Sequence, residues 1–185
     1  MKLYYKDFQT PLGDMRAVAN DDAIVLLSFK DSKDFLSSQN KIQQYYTLVR
    51  ISNHPIISML IYEMSAYFYG ECTTLKTPVQ YVFGTSFQHS VWDALQKVKT
   101  GETVHYATIA EWIGKPKSVR AVATAIGLNP LSIIIPCHRV IRKDGGLGGF
   151  NSGLYRKRHL LKLETYIKTK RGWDIIPSQK RESIR

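Results

Sequence analysis

Apolar and polar positions alternate through the first thirty residues. Met15, Ala17 and Ala19 are separated by polar or larger residues, and the apolar run Ala23 to Phe29 follows Asn20-Asp21-Asp22. An Asn-Asp-Asp stretch between two such runs predicts a hairpin turn, so residues 3–29 read as strands of a small sheet. The Ser- and Gln-rich stretch from Lys30 to Gln44 predicts a surface helix or loop. From His54 to Tyr69 the period changes: Ile57, Leu60, Ile61, Met64 and Phe68 recur at helical spacing, and Gly70 stops the helix. Its aromatic residues read as core packing. Thr77 to Gly84 reads as a linker, and Ser90 to Lys99 as an amphipathic helix through Val91, Trp92, Leu95 and Val98.

Thr103 to Asn129 predicts two short helices around a Gly-Lys-Pro-Lys turn. Ile109, Ala110 and Ile113 form the inner face of the first; Val119, Val122, Ala123 and Ile126 that of the second. The pattern alone suits a helical hairpin and a DNA-binding helix-turn-helix about equally. The second helix favours DNA. Its first turn shows Lys117, Ser118 and Arg120, while Ala121, Ala123 and Ala125 keep it slim enough to approach a groove closely. It displays almost no Asn, Gln or Arg for base edges, which suits sequence-independent binding.

Charge sharpens that picture. Residues 1–85 carry 8 Lys/Arg against 8 Asp/Glu, whereas residues 86–185 carry 18 against 7, which accounts for the whole net charge of +11. A neutral half joined to a basic half points to a polyanion partner for the second. The N-terminus has no signal-peptide core, and the longest apolar runs are too short to span a bilayer. Cys72 and Cys137 stand apart with no paired spacing, which argues against a disulfide scaffold and a cysteine zinc site and points to a cytoplasmic protein. The residues call for no metal or cofactor.

The candidate chemistry lies in Ile133 to Val140, IIIPCHRV. Three branched residues predict a buried strand or segment that Pro136 ends before Cys137. A cysteine in apolar surroundings is ordinarily inert, but His138, Arg139 and the basic neighbourhood are expected to favour its thiolate. Four glycines between Gly145 and Gly149 let the backbone approach a flat ligand. Cys72 has no such neighbours and reads as structural.

PCHRV, preceded by Asn129-Pro130 and followed by a Gly-rich loop and RKRHLLKLE, resembles the O6-alkylguanine-DNA alkyltransferase family, stand-alone bacterial type. The likeness runs from about Tyr67 to Glu164. It implies an α/β (α+β) chain with a ribonuclease-H-like N-terminal sheet domain over 1–84. A mostly helical DNA-binding domain with the helix-turn-helix would cover 85–165; the basic tail, 166–185, is expected from its composition to fray, except for a short piece near Trp173. The likeness further implies DNA repair by direct damage reversal, with irreversible, single-turnover transfer of methyl from O6-methylguanine, and from O4-methylthymine, to Cys137. The implied partner is double-stranded DNA containing O6-alkylguanine, bound by a monomer, with no membrane association.

Carried over position by position, His138 deprotonates Cys137 through a water, and Glu164 orients that histidine. Asn129 ties the recognition helix to the cysteine loop. Tyr106 helps rotate the nucleotide and protonates the departing guanine, while Arg120 fills the gap in the base stack, flanked by Ser118 and Ala121. Val140, Leu147, Gly148, Phe150, Asn151 and Ser152 would wall the base pocket. Phe150 stands where many relatives have tyrosine, and the tryptophan common nearby in bacterial members is absent. Both differences bear on tolerance of bulky alkyl groups. A lesion sensor would have lost the cysteine. A transcription regulator would display a richer recognition helix, and a Cys-His hydrolase would place base and nucleophile farther apart in sequence.

Overall fold

The structure, a computed structural model, describes residues 1–170. Strands β1 (Lys2–Thr10), β2 (Gly13–Ala19) and β3 (Ile24–Phe29) form an antiparallel meander. After α1 (Phe35–Gln43), β4 (Thr47–Arg50) adds parallel to β1, giving the sheet order β3-β2-β1-β4. The predicted hairpin turn is closed by Asn20, whose Oδ1 accepts from the N–H groups of Asp22 (3.0 Å) and Ala23 (2.8 Å). This is the local bond that makes Asn a turn residue. β4 has no signature of its own: four residues, none fully buried, give periodicity nothing to register.

Every residue of β3 is buried, because both faces of the sheet are covered. Val25 and Leu26 pack with Val18 and Ile42 on the α1 side. Ile24, Leu27 and Phe29 join the larger core with α2 (Pro55–Phe68) and the second half of the chain. Residues after α2 run along the exposed edge of β3, with Ile24 N–H donating to Pro78 O and Gln80 N–H to Ile24 O, both at 2.9 Å.

Helix α3 spans Ser86–Leu95, starting before the predicted Ser90. Its start is set by a capping box, in which Thr85 Oγ1 accepts from Gln88 N–H while Gln88 Oε1 accepts from Thr85 N–H. β5 (Val104–His105) leads into α4 (Tyr106–Trp112), and α5 (Val119–Gly127) follows the turn. Val122, Ala125 and Ile126 are the buried residues of α5. Ala123, expected on the inner face, is exposed instead and lines the cavity described below, while Ala125 is buried and its carbonyl accepts from the Trp92 indole at 2.8 Å.

Ile133 to Ile135 form a buried irregular segment and no regular strand. Ile133 has φ +74°, a conformation that breaks extended pairing and is costly for a β-branched residue. A single 3-10 turn, Cys137–Arg139, leads to β6 (Val140–Ile141), which pairs parallel with β5. α6 spans Leu154–Lys170. It passes the expected start of the tail at 166, because Ile167 is buried in the core. The piece expected near Trp173 lies outside the described residues. Among these, no helix is long and apolar enough to cross a membrane.

Candidate active site

Cys137 is buried against a cavity of about 460 Å³ lined by α5, the loop at 149–152 and Asp34 at the start of α1. The site begins two residues past α5. Asn129 is buried, and its Nδ2 donates to Ile135 O (2.8 Å) and to Cys137 Sγ (3.2 Å), while its Oδ1 accepts from Leu131 N–H (3.0 Å). One side chain thus fixes the end of the helix, the irregular segment and the sulfur. The segment is also stitched to β3, with Leu27 N–H donating to Pro130 O (2.9 Å) and Ser132 N–H to Leu27 O (2.8 Å).

Burial pushes the Cys137 thiol up from its ordinary value, against the opposing effects of the Asn129 bond and the nearby Lys157 charge. The expectation that basic neighbours favour the thiolate is corrected here. Arg139 turns away from the sulfur, and its Nε and Nη2 each lie 2.8 Å from a Glu164 oxygen. His138 is fully buried, and its Nε2 is 2.8 Å from Glu164 Oε1.

Glu164 is the hub behind the cysteine turn. Besides His138 and Arg139, it accepts from Tyr67 Oη (2.7 Å) and from Gly101 N–H (3.2 Å). Burial alone would raise its pKa, but His138 and Arg139 outweigh this and hold the carboxyl well below the usual range. Burial lowers the His138 pKa despite Glu164. The imidazole is therefore neutral, with its Nε2 proton on the bond to the carboxylate. Its Nδ1 is buried with no hydrogen-bond partner among the described residues, free to accept a proton.

Tyr106 opens α4 and lines the cavity, where burial raises its pKa and the Gly149 backbone bond pulls the other way. The hydroxyl is protonated at neutral pH. Gly148, at φ +69°, lies so close that a Cβ there would fall 2.5 Å from Tyr106 Oη. Phe150, Asn151 and Ser152 line the cavity with Cys137. Leu147 and Gly148 instead line an adjoining hollow that shares Tyr106 and Gly149. The Val140 side chain is fully buried in β6, which pairs with β5, and its carbonyl accepts from Lys157 Nζ at 2.6 Å. Arg120 and Ala121 are exposed on α5, with Ser118 half-buried at its capping position.

Family models for the ribonuclease-like domain and for the DNA binding domain of 6-O-methylguanine DNA methyltransferase match residues 3–81 and 86–166 respectively. The chain belongs to the 6-O-methylguanine DNA methyltransferase family. Among curated members, the methylated-DNA–protein-cysteine methyltransferase of Salmonella typhimurium is 33% identical over 171 residues, covering 90% of this chain and 98% of that protein. The Methanosarcina barkeri protein of the same name is 40% identical over 164 residues, covering 88% and 97%. A crystal structure of Mycobacterium tuberculosis OGT in complex with DNA is similar with a TM-score of 0.76 at 33% identity, covering 89% of this chain and 94% of that one.

Three residues at the methyltransferase site, Lys157, Tyr67 and Asp34, carry no local signal in the sequence, and Arg139, which does, serves a different partner from the one expected. Lys157, fully buried, bridges Val140 O and Gly149 O (3.3 Å), and burial lowers its pKa to about 8. Arg139 serves Glu164, Val98 O and Thr100. Tyr67 reaches Glu164 across 97 positions of chain, and Asp34 lines the cavity from the N-terminal half. Only the three-dimensional fold brings them together. The spacing of Lys157 from Cys137 reveals no role, and that of Arg139 suggests the thiol where the structure pairs it with Glu164.

Proposed function

We propose that the protein repairs DNA by moving the alkyl group of O6-alkylguanine, flipped out of double-stranded DNA, irreversibly onto Cys137. The observation that carries this reading is the unpaired Nδ1 of a neutral, carboxylate-anchored His138, in the same turn as a protonated thiol that Asn129 holds against the cavity. A water between Nδ1 and Sγ lets His138 take the thiol proton, and Glu164 offsets the imidazolium charge that forms. The sulfur attacks the alkyl carbon, the carbon–O6 bond breaks, and its electrons go to the guanine ring. Tyr106 supplies the ring's proton and is reprotonated in turn, so that the thiol proton ends, in net terms, on guanine.

The product thioether has no leaving group, and nothing in the site regenerates the thiol, so each protein molecule reacts once. Arg120, exposed on α5, fills the vacancy in the duplex and offsets part of the cost of extrusion, roughly a few kcal/mol. The protein acts as a cytoplasmic monomer, with O4-methylthymine as a second substrate. The N-terminal unit ends near residue 84 and the alkyltransferase unit runs on through α6.

Intact mass after incubation with a duplex containing O6-methylguanine tests this. One methyl per protein on the Cys137 peptide is expected, and Cys137→Ser should bind the duplex and transfer nothing. Many turnovers per molecule, or methyl on Cys72, would refute it.

A further inference from the structure

Asp34 occupies the capping position of α1, yet its side chain accepts no bond from the helix. Aspartate at such a position ordinarily accepts from a first-turn N–H, and forgoing that bond sacrifices stability. The residue instead lines the cavity that holds Cys137, as its only charged side chain among the described residues. It reaches the cavity from the N-terminal half, where the neighbouring Lys33 N–H donates to Asn151 O at 3.3 Å. No cation or donor reaches the carboxylate among the described residues. It lies close enough to Cys137 for its charge to hold the thiol proton more firmly.

A carboxylate facing a cavity can only accept hydrogen bonds. The transferred carbon must sit at Cys137 Sγ, and methyl ends there. A longer substituent extends past the sulfur into the rest of the cavity, where Asp34 is the one charged group among the described residues and the Lys33–Asn151 bond sets its backbone beside Asn151.

We propose that Asp34 is a specificity residue for the alkyl group. Its carboxylate accepts a hydrogen bond from an O6 substituent that ends in a hydroxyl or amine, and it disfavours an apolar substituent of the same length. A terminal hydroxyl replaces the water that it displaces with a charge-assisted bond, whereas a terminal methyl strips the carboxylate of water and returns nothing. The inference rests on Cys137 being the alkyl acceptor.

O6-(2-hydroxyethyl)guanine and O6-propylguanine have equal numbers of heavy atoms and differ at the chain terminus. Rate constants for transfer from duplexes carrying each, read by intact mass, give a ratio from which changes in thiol reactivity or in DNA binding cancel. The full chain should favour hydroxyethyl by about tenfold, the worth of one hydrogen bond to a charged group. Asp34→Ala should bring the ratio close to one, and Asp34→Asn, the same shape without the charge, should reduce it several-fold. If Asp34→Ala does not fold, Asp34→Asn decides. An unchanged ratio in the folded variant overturns the proposal and leaves the transfer reaction standing. Failure of the unaltered protein to take methyl from O6-methylguanine onto Cys137 would overturn both.

Discussion

Glu164→Gln keeps the shape of the hub and removes its charge. Oε1 accepts from Tyr67, His138 and Arg139 Nη2, and Oε2 from Arg139 Nε and Gly101. One of the two atoms becomes an amide nitrogen, so whichever way the group is turned, donors face donors. Arg139 loses the anion it is paired with and keeps Val98 O and Thr100. Removing one partner of a buried pair costs about 3–5 kcal/mol, and the bonds that Arg139 retains place the loss near 3. That is a large share of a domain stability of about 5–15 kcal/mol. Urea unfolding at neutral pH should show a lower midpoint at an unchanged slope.

A pH series adds an independent check. The folded carboxyl is held below its ordinary value of 4.5, so the unfolded chain binds more protons in acid. Stability from this group is present above that value and is lost as pH falls below it. The variant should lack that part of the acid limb. Adding Arg139→Met to Glu164→Gln should recover stability, because the unpaired buried charge is gone. A loss under about 1 kcal/mol for Glu164→Gln, against the 3–5 of a broken buried pair, would refute the argument, as would a double variant as weak as the sum of the two single ones.

Gly148→Ala should be destabilised and slow in transfer, since its Cβ meets Tyr106 Oη, whereas Gly145→Ala, also at positive φ but with open space, should show backbone strain alone. Thermal melts and methyl-transfer rates compare the two; equal transfer would show that the Gly148 contact with Tyr106 is unimportant. Arg120→Ala should slow transfer from duplex DNA sharply and spare transfer from free O6-benzylguanine, if the cavity admits that base. Equal slowing on both would show the arginine supporting the pocket. Iodoacetamide should label Cys137 in the DNA-free protein slowly at neutral pH and faster as pH rises beyond the ordinary thiol range, in keeping with its raised pKa. Rapid labelling at pH 7 would mean that the thiolate exists at rest.

What the sequence reveals and conceals follows the range of the interactions. The Asn20 turn, α2 and the helix-turn-helix are legible because their signals lie within a few residues of one another, as capping and periodicity do. Cys137 with His138 is legible for the same reason. Glu164, Tyr106 and Asn129 enter through a family likeness, since no local rule ties a glutamate to a histidine 26 positions away. Tyr67, Lys157 and Asp34 stay hidden because their relevance depends on how the two halves of the chain pack. The Cys137 thiol departs from expectation for a related reason. Counting cations near Cys137 in sequence ignores that Arg139 is committed to Glu164 and that burial acts more strongly than any of them.

The burial that makes the Cys137 thiol a weak acid also decides how long a molecule remains usable. A protein that reacts once is lost to any electrophile or oxidant that reaches its sulfur first, and small reactive molecules far outnumber lesions in DNA. A protonated sulfur buried against a cavity reacts slowly with all of them. Its reactivity is deferred until a base fills the cavity and places a carbon against it. Selectivity in such a protein lies as much in the side reactions it avoids while waiting as in the speed of the one it completes.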